Sequence, residues 1–214
     1  MKTILSSIAR LLLVFAAICG TAPAQKQSQN HNQPQGKTTL MILANRHIQD
    51  QLWPVLVSTL TRDAASEYAP VNGQVEIIVV GKDTPAPELP NRIEVELLGR
   101  CDSRWNQSPL RQGGPLGWVL ETSGSIAPVI YVDCGRIAEL IGPQTHPMPR
   151  DQWLQATSEA ISHVILHEWI HVATQSSAHA AHGIMQPELS EHDLTASVVE
   201  NRSHTRKNST PASR

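Results

Sequence analysis

"DQWLQATSEAISHVILHEWIHVATQ", residues 151–175, runs for twenty-five positions without proline or glycine, and its reading decides the fold. Such a stretch is predicted as one long helix, with Asp151 as its N-cap. Near its end stands "HEWIH". On a helix, His167 and His171 are four residues apart and share a face, one turn above the other. Two imidazoles at that spacing can present nitrogens to one zinc ion at about 2.0–2.1 Å. Glu168 follows the first histidine directly. At that offset a carboxylate leans beside a metal rather than onto it, which is where a general base must stand to take a proton from water there. The flanks are apolar, and a core helix holds two imidazoles in such a setting only when something satisfies them.

Zinc wants a third protein ligand and an open position. Four donors follow closely: His179, His182, Glu188 and Glu191. The two histidines lie eight and eleven residues after His171, near enough for the chain to leave the helix and turn back. Either glutamate needs a second helix docked over the site. His163, one turn before His167, points away along the helix and reads as a packing or supporting residue.

Working outward, "TTLMILA" (38–44), "GQVEIIVV" (73–80) and "RIEVELLG" (92–99) read as strands rich in β-branched residues. A helical pattern fills 48–69, with Pro54 disturbing its first turn, and a proline-rich turn separates the second and third strands. Residues 101–117 read as a long loop. A short strand, a turn, the strand "VIYVDC" (129–134) and a brief helical piece come next. Strands early and the long helix late make a mixed α+β domain over residues 38–200.

Ahead of it, a basic start, the apolar run "LLLVFAAICG" and small residues at Ala22 and Ala24 form a secretory signal peptide, residues 1–24. The run is too short to span a bilayer, so no stable membrane span is expected after cleavage. Bulky Ile18 argues against lipidation at Cys19. Residues 25–37 are a polar linker and 201–214 a flexible basic tail, both too poor in apolar side chains to fold. The expected location is secreted or periplasmic. With the signal removed, Cys101 and Cys134 are the remaining cysteines, and one disulfide is expected between them, closing a loop worth about 3 to 4 kcal/mol. The formal net charge of −2 leaves no basic surface for nucleic acid outside the tail.

The segment "HEWIHVATQSSAHAAHGIMQP" (167–187) resembles the metzincin type of zinc-dependent metallopeptidase, in a small exported bacterial form. Relative to the usual pattern of that family, Thr174 replaces a glycine and Ser177 the third histidine, which is displaced to His179. The resemblance implies Zn2+ held by His167, His171 and His179, Glu168 as general base, and a methionine turn at "HGIMQP" with Met185 as the apolar floor of the metal. It implies a twisted mixed sheet whose edge strand, for which "APVIYVDCG" (127–135) is the candidate, aligns an extended peptide or protein substrate beside the helix. Tyr131 or His182 would help with the oxygen of a tetrahedral intermediate. Two other readings stay open on the residues alone: a catalytically inactive zinc-binding domain, and an exported structural or interaction protein without metal.

Overall fold

The computed structural model describes residues 38–44, 51–67, 75–81, 85, 87–101 and 114–196. The segments read from the sequence as signal peptide, polar linker and basic tail, and most of the expected 101–117 loop, lie outside those residues. Eight elements follow one another: β1 (Thr38–Ala44), α1 (Leu52–Glu67), β2 (Val75–Gly81), β3 (Arg92–Leu98), β4 (Gly117–Thr122), β5 (Ser125–Asp133), α2 (Cys134–Thr145) and α3 (Arg150–Thr174). Pro54 falls in the first turn of α1, where a backbone N–H has no intrahelical acceptor, so the helix tolerates it.

The strands form one mixed five-stranded sheet in the order β2-β1-β3-β5-β4. β1, β2, β3 and β5 run parallel, and β4 returns antiparallel on β5. β2 and β3 flank β1 on opposite sides. Because Ala44 pairs Gly81 whereas Thr39 pairs Arg92, β2 ends and β3 begins at opposite ends of β1, so the two do not form a hairpin. Two expectations about the edge change here. β5 is an interior strand, so "APVIYVDCG" is not the edge; that place belongs to β4. β5 also starts earlier than predicted and contains Pro128. The β4–β5 register shifts between Val119 and Glu121, opposite this proline, so a residue that cannot donate falls where the ladder is already broken.

Alternation along the strands sends Leu40 and Ile42, Ile93, Val95 and Leu97, and Ile130 and Val132 into one core with the helices. α3 lies in its midst. Positions 156–162 and 164–169 are all buried, so this helix has no broad solvent face. Its polar residues meet polar residues of α1: Ser162 Oγ donates to Asp63 Oδ2 at 2.9 Å, and the half-buried Gln155 Nε2 donates to Thr59 Oγ1 at 3.4 Å and, within α3 itself, to Glu159 Oε1 at 3.0 Å.

Two helix boundaries differ from expectation. Pro149, not Asp151, precedes the first helical residue of α3; Asp151 sits inside the first turn, where a carboxylate complements the helix dipole. α2 continues through Pro143 to Thr145, further than a proline would suggest. Asp133 caps its start, accepting from the backbone N–H of Arg136 at 3.1 Å. Cys101 and Cys134 are disulfide-bonded across 33 residues of sequence, tying the end of β3 to the start of α2. No helix among the described residues is long and apolar enough to cross a membrane.

Candidate metal centre

α3 carries His167, Glu168 and His171 on its penultimate turns, all buried. The helix ends at Thr174, and Gln175 takes the left-handed conformation with φ 51° and ψ 40°. That reversal lets residues 176–186 fold back over the helix end. A second turn follows, in which the Ala180 N–H donates to the Met185 carbonyl at 2.7 Å and Gly183 adopts φ 79°, a value glycine takes without a Cβ penalty. The fold-back brings the exposed His179 ring to 5.3 Å from His167 and 4.9 Å from His171, centroid to centroid. One nitrogen from each of the three rings lies within 4.8 Å of the other two.

The returning backbone also fixes the ring tautomers. His167 Nδ1 lies 2.7 Å from the Ile184 carbonyl and His171 Nδ1 lies 2.6 Å from the Ser176 carbonyl. Carbonyl oxygens only accept, so each Nδ1 carries its hydrogen and donates, leaving the Nε2 lone pair bare. The two Nε2 atoms are 3.1 Å apart. Two bare lone pairs at that separation repel. Two nitrogens bound to one tetrahedral zinc at about 2.0–2.1 Å would stand about 3.3 Å apart, so the observed pair fits a shared cation. Protonating a ring instead is disfavoured at His167. Burial lowers its pKa below 6.5 against the opposing pull of the Ile184 carbonyl, and the charges of His171 and His179 lower it further.

The three histidines and Glu168 open onto a cleft of about 570 Å³, a size suited to a small ligand or a peptide segment. Its walls are largely apolar, with Leu116, Val119, Leu140, Val164 and Leu189 among the lining residues. Desolvation by burial raises the Glu168 carboxyl from 4.5 to about 7.

The other residues singled out in the sequence are placed differently. His182 is exposed and outside the histidine cluster. Glu188 is exposed on the cleft wall, and Glu191 begins a short helical turn away from it. Met185 is half-buried, and what touches a candidate ligand is the carbonyl of its neighbour Ile184. Tyr131 is not brought to the site. Its strand neighbours Ile130 and Val132 face the core, so alternation turns Tyr131 to the other side of the sheet, where it stacks on Trp118 at 5.4 Å. His163 lines a separate cavity of about 270 Å³ with His192 and Asp193. Sequence reasoning missed Gly117, Ser176 and Ile184. The first carries a signal, a glycine opening a strand; the other two act through backbone carbonyls and carry none.

No family model matches the chain, and neither a curated protein nor a solved structure matches it. What stands is a mixed α+β fold bearing a three-histidine cluster capable of holding a divalent metal.

Proposed function

We propose that this chain is an exported zinc-binding domain whose metal is held by His167, His171 and His179. The observation that carries the reading is the 3.1 Å approach of two buried imidazole nitrogens whose rings have already committed their hydrogens elsewhere. Such a pair is costly to bury unless a cation lies against both lone pairs. An all-imidazole set of three donors opening onto a cleft suits zinc better than magnesium or calcium, which prefer oxygen. The Cys101–Cys134 disulfide supports an oxidising compartment, secreted or periplasmic. The test is metal analysis and zinc titration of the purified protein, expected to give about one zinc per chain. Absence of stoichiometric metal after zinc loading would sink it.

A second reading, zinc-dependent hydrolysis of peptide bonds in the manner of a divergent metzincin, is favoured by Glu168. This carboxyl adjoins His167, lines the same cleft and titrates at about 7. Bound metal would act as a Lewis acid, polarising a carbonyl and acidifying water. Glu168 would take a proton from water onto its carboxylate and return it to a leaving amine. The apolar cleft walls would take peptide side chains. Thr174 and Ser177 depart from the metzincin pattern, which favours metal binding over hydrolysis. Zinc-loaded protein that cleaves a mixed peptide library, and a Glu168→Gln variant that keeps zinc and loses cleavage, would support hydrolysis. Zinc-loaded protein that cleaves nothing leaves the inactive domain.

A further inference from the structure

The residue at the end of α3 is a glutamine in a conformation that favours glycine. Gln175 has φ 51°, and such a left-handed residue costs roughly 1 kcal/mol when it carries a Cβ. Its side chain gives a reason for the choice. Oε1 accepts from the Ile126 N–H at 2.9 Å and from Ser125 Oγ at 3.2 Å. Nε2 donates to the Ile126 carbonyl at 3.0 Å and to the Val172 carbonyl at 2.8 Å. The amide therefore uses all its hydrogen-bonding capacity. It pairs both backbone groups of Ile126 as a neighbouring strand would, and it satisfies one of the last carbonyls of α3.

Both ends of this bridge matter to the site. The backbone N–H of Gln175 donates to the His171 carbonyl, and the next carbonyl, that of Ser176, accepts from His171 Nδ1 at 2.6 Å. The left-handed turn thus aims the group that fixes the His171 tautomer. At the other end, Ile126 lines the cleft and pairs Glu121 of the edge strand β4. We infer that Gln175 is a positioning residue that couples the His171 side of the metal centre to the β4–β5 hairpin. Filling the centre then steadies the cleft edge, and loosening the hairpin weakens the metal. This rests on the metal-binding reading above.

Gln175→Gly is the discriminating variant, because glycine relieves the backbone strain while removing the side-chain bridge. Its zinc affinity should fall about tenfold, the loss typical when a group supporting a ligand is removed. Gln175→Glu, which would set an acceptor-only carboxylate oxygen against the Ile126 and Val172 carbonyls in place of the donor, should lose at least as much as Gln175→Gly. Amide hydrogen exchange at Ile126 supplies a readout independent of activity. In the wild-type protein zinc should slow it, and in Gln175→Gly exchange should be fast with or without zinc. Wild-type zinc affinity in Gln175→Gly, or Ile126 exchange in the wild type that ignores zinc, would overturn the inference. If the wild type binds no zinc, the metal reading fails instead, and that failure is read from the titration alone.

Discussion

Gly117 of β4 passes so close to Glu168 of α3 that a Cβ built on it would lie 3.1 Å from Glu168 Cγ and 2.5 Å from Val164 Cγ1. The Tyr131 carbonyl closes the remaining side at 3.1 Å. The edge strand and the ligand helix therefore meet where only a hydrogen fits, which holds the cleft edge against the Glu168 side chain.

Gly117→Ala is expected to destabilise the protein by about 2 kcal/mol, the usual cost of overpacking a filled site. Val164→Ala removes the atom in the hardest clash. The double variant should therefore lose less than the sum of the two single losses, by about 1 kcal/mol. Urea denaturation of the four proteins measures both quantities. Simple additivity would show that the strand moves aside and that the contact is not a constraint.

Reducing the Cys101–Cys134 bond frees a segment spanning 33 residues of sequence. In the chain-entropy account this costs about 3 to 4 kcal/mol. α2 starts at Cys134 and carries Leu140 on the cleft wall, so the loss should extend to the site. Denaturation with and without reductant gives the first number. Zinc titration of the Cys101→Ala/Cys134→Ala variant, with weaker binding expected, gives the second.

What the sequence could disclose follows from how local each signal is. His167, Glu168 and His171 lie within one turn and a half of helix, so their common surroundings follow from helical period alone. The disulfide followed from cysteine arithmetic once residues 1–24 were read as a signal peptide and set aside. Tyr131 shows the limit on the strands. Period-two alternation sorts β5 into two faces without saying which one the helices cover, and only the packing of Ile130 and Val132 decides. The same pattern reads alike in an edge or an interior strand, so β5 could not be told from β4 as the edge. His179 reaches the cluster through the left-handed turn at Gln175, and nothing in a glutamine advertises that conformation.

Zinc bound to the native state alone stabilises it by mass action, about 2.7 kcal/mol at one hundred times the dissociation constant. Chelation should lower the melting temperature accordingly. His171→Ala should abolish the zinc-dependent shift, since it removes a buried donor and the ring held by the Ser176 carbonyl. His182→Ala, at an exposed position outside the cluster, should keep the full shift. A variant at His182 that loses the shift would move the third donor from His179 to His182. Thermal melts of the wild type and both variants, with zinc and with chelator, cover the three outcomes.

The metal-free protein should carry a pH signature of Glu168. Its carboxyl ionises near 4.5 when unfolded and near 7 in the fold, because burial strips water from the charged form. Between those values the folded state holds a proton that the unfolded chain has released, so stability falls as pH rises through the window. The loss is absent below about 4.5 and complete above about 7, with an upper bound on the order of 3 kcal/mol. His167 runs the other way. Its pKa is lowered in the fold, so the unfolded chain protonates first and stability falls as pH drops below 6.5. The two slopes oppose each other below pH 6.5, within the window where Glu168 titrates, and the wild-type curve alone does not separate them. Glu168→Gln does. It removes the carboxyl and leaves the histidine, so its stability advantage over the wild type in chelator should grow steadily from pH 4.5 to 7. A constant difference across that range would mean that the carboxyl is solvated in the metal-free protein.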